Sequence, residues 1–92
     1  DLPKEGSHFD LPIALCLLAA MDVIPREETA RHVALGELSL DGTTVKVTGA
    51  LPAAVAAAEL ECGLICPQAC GAEAAWVGAV QVLATPSLLA IV

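Results

Sequence analysis

The stretch V-A-L-G-E-L-S-L-D-G-T-T-V-K-V, Val33 to Val47, decides the fold. Its apolar and polar side chains alternate, which is the period of a strand with one buried face. Asp41-Gly42 interrupts the alternation with the dipeptide that best tolerates the positive φ angles of a tight hairpin turn. The run therefore predicts a β-hairpin of Val33–Leu40 and Thr43–Val47, with Gly36 inside the first strand and Gly49 breaking the second.

Beyond the hairpin, Leu51-Pro52 opens a helix from Pro52 to about Glu61, and its A-A-V-A-A-A face is small enough to pack tightly on a sheet. Gly63 is the expected C-terminal stop. Leu64-Ile65-Cys66 reads as a short buried strand closed by Pro67, Ala72–Val77 as a short helix, and Gln81–Leu83 as another strand. Pro86–Val92 reads as a last helix.

Before the hairpin, Asp10–Asp22 forms a helix with Pro12 in its first turn, where a missing N–H costs nothing. Leu11, Leu15 and Leu18 with Ala14, Leu17 and Met21 cover most of its circumference, so burial on nearly all sides is expected, with Cys16 in the core. Ile24-Pro25 ends it, and Arg26–Arg31 is a polar helical turn at the surface. Strands alternating with helices after one hairpin predict an α/β two-layer sandwich, with a mixed sheet and short parallel βαβ crossovers.

Ninety-two residues suffice for one core, so residues 1–92 are read as a single domain. The chain is 57% hydrophobic and its mean hydropathy is +0.74. The longest apolar run, Leu11–Met21, is nonetheless about half the roughly twenty residues of a spanning helix, so no membrane partner is expected. The net charge of −7 argues against direct nucleic-acid binding, because phosphate backbones repel such a surface. Residues 1–10 are polar and lack an apolar signal region, so a cytoplasmic location and four reduced cysteines are expected. The start on Asp1 rather than Met suggests a fragment of a longer protein.

Ser7, beside Gly6 and His8 and near Lys4, has the look of a hydrolase nucleophile. Such a serine needs a base within reach and donors for an oxyanion. The G-x-S-x-G elbow is absent, and a loop hydroxyl capping the helix start explains Ser7 more simply. Cys62, Cys66 and Cys70 are spaced by four, but Gly63 and Pro67 prevent one continuous helix from aligning them. Structural zinc sites favour C-x2–4-C pairs and four ligands, so these thiols are read as small buried or half-buried groups around a strand, with no metal. His8 and His32 stand alone beside loops, and Glu27-Glu28 belongs to a solvated face. Glu37, next to Gly36, either points to solvent by ordinary alternation or serves as a site carboxylate. No G-x-x-x-x-G-K-[ST] occurs, so the chain carries no P-loop and no cofactor site of that kind.

The runs P-K-E-G-S-x-F-D-L-P-I-A-L, L-G-E-L-S-L-D-G, V-T-G-A-L-P-A-A and L-I-C-P follow one another in the order and spacing of a known family. Together they resemble the N-terminal domain of ComM-type (YifB-like) proteins, the magnesium-chelatase-related AAA+ ATPases, over essentially the whole chain. The family domain usually has further strands upstream, which this chain lacks. Gly6, Asp10, Gly36, Glu37, Gly42 and Gly49 are the motif residues.

The resemblance implies a fold similar to the C-terminal proteolytic domain of Lon, and it implies where a catalytic dyad would fall. Leu35–Gly42 matches Lon's T-G-E-V-T-L-x-G hairpin, and Gly6–Asp10 matches the segment carrying its serine. In that register His8 holds the nucleophile position, with Ser7 one residue early, and Pro52 holds the position of the lysine base. Proline has no side-chain proton acceptor, and Lys46 is the nearest substitute in sequence. No catalytic residue is therefore expected.

What the resemblance implies instead is an accessory or interaction domain of a ring ATPase linked to DNA branch migration. Its partners would be the AAA+ motor of the same chain and neighbouring subunits, and ATP and Mg2+ would belong to that motor. A residual Lon-like serine peptidase and a magnesium chelatase component of tetrapyrrole synthesis are the alternatives. Without the upstream strands, the Val33–Val47 hairpin is expected to leave a sheet edge open, which favours a homodimer.

Overall fold

The fold is that of a computed structural model, which describes residues 9–92. The candidate residues Lys4, Gly6, Ser7 and His8 lie outside the described residues.

Two small sheets organise the described residues. Strands β1 (His32–Ala34), β4 (Gly63–Pro67) and β5 (Val82–Thr85) form a parallel sheet in the order β1-β4-β5. Strands β2 (Glu37–Leu38) and β3 (Thr44–Val45) form a separate antiparallel hairpin. The predicted run Val33–Leu40 is thus two strands, because Gly36 at φ 155 turns the chain out of the parallel sheet. A parallel sheet with a detached hairpin replaces the single mixed sheet expected from the alternation.

Helices cover β4 on both faces, which makes three layers around it where two were expected. Helix α3 (Ala50–Glu59) and helix α4 (Gly71–Ala75) pack on one face through Ala50, Ala54, Ala57 and Ala74 against Leu64 and Cys66. Helix α1 (Asp10–Ala20) packs on the other through Leu11, Leu15 and Ala19 against Ile65 and Ile24. The alternation Leu64, Ile65, Cys66 sends successive side chains into the two cores, which is why this strand is apolar throughout. A short helix α2 (Arg26–Ala30) follows α1, as its polar sequence predicts.

Both long helices stop on the same device. Asp22 (φ 61) and Glu61 (φ 57) adopt the left-handed conformation, and the hydrogen bonds Val23 N to Leu18 O and Cys62 N to Ala57 O close the ends. These are Schellman turns. Glu61 thus terminates α3, and Gly63, the predicted stop, already lies in β4. What requires glycine at 63 is the ring of His32, whose Cδ2 would stand 2.9 Å from a Cβ there. Left-handed backbone costs a non-glycine residue on the order of 1 kcal/mol, so Glu61→Gly is expected to stabilise the domain by roughly that amount. Urea unfolding checks this, and an unchanged or lowered midpoint would contradict it.

The hairpin is not the open edge that the sequence suggests. Thr44 N donates to Pro86 O, the Thr44 hydroxyl to Thr85 O at 2.6 Å, and Thr43 bridges Ser87, so β3 is covered by the loop after β5. On the β2 side, Leu38 N donates to Asp10 Oδ2 at 3.2 Å and Leu11 N to Gly36 O at 2.9 Å. The last predicted helix, Pro86–Val92, shrinks to a 3-10 turn at Leu89–Ile91, since this segment is occupied in tying down the hairpin.

Candidate functional site

The turn Gly49 to Pro52, where the Lon resemblance places its base, is the N-terminus of α3. Gly49 caps it at φ 98, a conformation that glycine adopts without steric cost. Pro52 is exposed in the first helical turn, where its ring is well tolerated. The free N–H of Leu51 at this helix start is taken by Glu73 Oε2 of α4 at 3.3 Å. A helix N-terminus of this kind attracts anions, and here the domain's own carboxylate fills the role. Lys46, the substitute base, is exposed after β3.

The other fixed carboxylates do similar structural work. Asp10 holds β2, as above. Asp41 accepts from Thr43 N at 3.0 Å, the Thr43 hydroxyl at 2.7 Å and the Ser39 hydroxyl at 2.8 Å, all within the Asp41-Gly42 turn. The Thr43 backbone bond, then the Thr43 and Ser39 hydroxyls, hold its carboxyl down at a pKa of about 2. Glu37 is half-buried in β2, where it pairs with Val45 of β3, and its carboxylate has no hydrogen bond or ion pair among the described residues. His32 Nδ1 lies 2.6 Å from Glu28 O, so the ring is fixed on β1 as a donor to the end of α2.

The cysteines separate into three environments. Cys66 and Cys70 are buried and Cys62 half-buried. The Cys70 thiol donates to Val47 O at 3.5 Å. Burial, then the neighbouring Cys70, pushes the Cys66 thiol up to about 11, so in the domain as it stands it is protonated near neutral pH. No cluster of three or more metal-ligating side chains exists among the described residues. Cys16, expected in the core, is exposed instead, together with Ile13, Leu17 and Met21 of the same helix. An all-apolar helix gives no sign of which face meets the sheet, and α1 buries only one.

These positions correspond to a known family over most of their length. Residues 1–70 match the family described as "Subunit ChlI of Mg-chelatase". The chain belongs to this ChlI family. Among curated relatives it is 46% identical over 57 residues to the competence protein ComM of Haemophilus influenzae, and 44% identical over 57 residues to the uncharacterized protein YifB of Escherichia coli. It is also 46% identical over 56 residues to the uncharacterized protein Rv2897c of Mycobacterium tuberculosis. The two 57-residue matches cover 62% of this chain but 11% of each relative, so the ChlI chain corresponds to a small part of those proteins. No helix among the described residues is long and apolar enough to cross a membrane.

The ChlI match ends at Cys70, just before α4, yet α4 and β5 complete the architecture. Glu73 on α4 secures the start of α3, and β5 extends the sheet that the matched residues begin. Sequence reasoning missed Glu73 as a tie, and only its position three residues beyond Cys70 in a short helix hinted at it. Asp10, singled out as a motif residue, is accounted for by its bond to the hairpin.

Proposed function

We propose that this chain is a non-catalytic interaction domain of a ComM-type, magnesium-chelatase-related AAA+ ATPase, with a Lon-like fold whose catalytic dyad has been lost. One observation carries the reading: the carboxylates Asp10, Asp41 and Glu73 are spent on backbone N–H groups of the domain itself. With Pro52 at the position that the Lon resemblance gives the base, that position holds no proton acceptor, whereas large apolar side chains face outward on α1 and α3. Polar groups build the domain and apolar ones are left for contact. The similarity to ComM favours a motor that acts on DNA over a tetrapyrrole enzyme. ATP and Mg2+ are then handled by the motor, and the acidic surface here keeps the domain off the DNA.

Association tests this directly. The chain, mixed with the ATPase portion of a ComM-type protein that lacks this domain, is expected to sediment with it as a stoichiometric complex at micromolar concentrations. Independent sedimentation at tens of micromolar would sink the proposal.

A further inference from the structure

The face of the parallel sheet beneath α1 is not filled by the fold's own side chains. On this face the register sets His32 of β1 beside Gly63 of β4, and Ile65 of β4 beside Leu83 of β5. Residues two apart on a strand share a face, so Gly63 leaves a gap next to Ile65 where a side chain would otherwise stand. The His32 ring leans over that gap, its Nε2 3.1 Å from the place of a Cβ. What results is a cavity of about 300 Å³. Ile65 and Leu83 make its floor, and Ile24, Thr29, His32 and Ile91 stand around it. Leu83 is 46% exposed, an apolar side chain that the chain leaves uncovered at the mouth. A void of about 150 Å³ holds benzene, so one or two rings fit here.

The polar groups on the wall select the ligand, because their protons are already spent. The Thr29 hydroxyl donates to Pro25 O at 3.0 Å, and His32 Nδ1–H donates to Glu28 O at 2.6 Å. With that proton on Nδ1, the neutral ring offers Nε2 as an acceptor. Nε2 has no hydrogen-bond partner among the described residues. The Glu28 carboxylate, the charged group at the rim, is ion-paired with Arg31 at 3.8 Å, so it leaves no free charge to draw in a cation. The side chains thus present an apolar hollow with an acceptor and no donor. An anion or a carbonyl compound would be desolvated there without a partner, whereas a neutral ring carrying one N–H or O–H is satisfied.

We infer that the cavity between α1, α2 and the sheet binds a neutral one- or two-ring aromatic molecule through an N–H or O–H donated to His32 Nε2. This goes beyond the interaction reading and does not depend on it.

The test uses indole and indene, which have nearly the same shape and differ in the N–H. Each is titrated into the 15N-labelled 92-residue chain. Indole at millimolar concentration is expected to give saturable amide shifts centred on Thr29, His32, Ile65 and Leu83. It should bind about fivefold tighter than indene, the advantage of one added hydrogen bond. The Nε2 resonance of His32 should move upfield as indole is added, which a histidine with only a packing role would not show. Leu83→Trp places a large ring over the mouth and should abolish the shifts, while Leu51→Ser at the exposed start of α3 leaves them unchanged. Circular dichroism checks that both variants are folded, and the comparison of indole with indene needs no variant at all.

Equal affinities for the two probes, an Nε2 resonance that stays put, or shifts centred away from these residues overturns the inference. So does binding by folded Leu83→Trp, or the absence of saturable shifts up to the solubility limit of indole. A wild-type dimer that Leu83→Trp converts to a monomer also overturns it, since the mouth would then belong to a second copy.

Discussion

Gly36→Ala is expected to destabilise the domain by about 2–4 kcal/mol, combining strained backbone with overpacking. Gly36 has φ 155, in the region where a Cβ is disfavoured, and it is where the chain leaves the parallel sheet for the hairpin. The space around it is already taken. A Cβ there would stand 3.1 Å from Cδ and Cγ of Pro67 and 3.2 Å from Leu11 Cδ2. Pro67 is a rigid, fully buried ring, so most of the adjustment falls on Leu11 and on α1. The Gly36 carbonyl also accepts the Leu11 N–H that seats the helix, and a shift at one breaks the other. Urea unfolding followed by circular dichroism measures the loss. A change under about 0.5 kcal/mol, the usual range for a harmless surface substitution, would show that this crossing point is looser than described.

Leu11→Ala is expected to cost about 3 kcal/mol, within the range for a fully buried leucine whose cavity cannot collapse. Leu11 is 0% exposed and belongs to the smaller of the two cores, whose buried members among the described residues are Leu11, Leu15, Ala19, Ile24 and Ile65. The larger core on the opposite face of β4 does not include it. Losing Leu11 therefore loosens α1 first, and hydrogen exchange should rise in Leu15–Ala19 more than in Ala54–Ala57. The two changes also interact. Removing Leu11's branch vacates one of the atoms that crowds Gly36, so the double variant should cost less than the sum of the single ones. Additive costs would mean that Pro67 alone sets the limit at Gly36.

The sequence was most legible where a local rule and a tertiary requirement coincide. Asp41-Gly42 gives a turn that the Ser39 and Thr43 hydroxyls then lock. The alanine face of α3 packs closely on Leu64 and Cys66, as its small side chains allow. Legibility failed where partners are remote. The exposure of Cys16 and Leu17 depends on how much of α1 the sheet covers, and composition is silent on that. Gly63 looks like a helix stop in sequence, but the packing of His32 against β4 explains it and Glu61 makes the turn. The segment Pro86–Val92 has helix-forming residues whose backbone groups at Pro86 and Leu88 are claimed by the hairpin instead.

The candidate site was legible in a narrower sense. If the Lon resemblance holds, the base would fall on Pro52, and that a proline accepts no proton is readable from the residue alone. The roles of Asp10 and Glu73 were not readable, because each reaches a backbone N–H in a different element, 28 and 22 residues away in sequence. A carboxylate in a motif looks the same whether it serves chemistry or holds a strand.

The central claim is that the domain makes contacts and no covalent bonds. The most direct measurement incubates the chain with unfolded casein and a fluorogenic peptide and follows the appearance of new amino termini. The account predicts no cleavage above buffer, for the wild type and for Ser7→Ala alike. Turnover by the wild type that disappears in Ser7→Ala would contradict it.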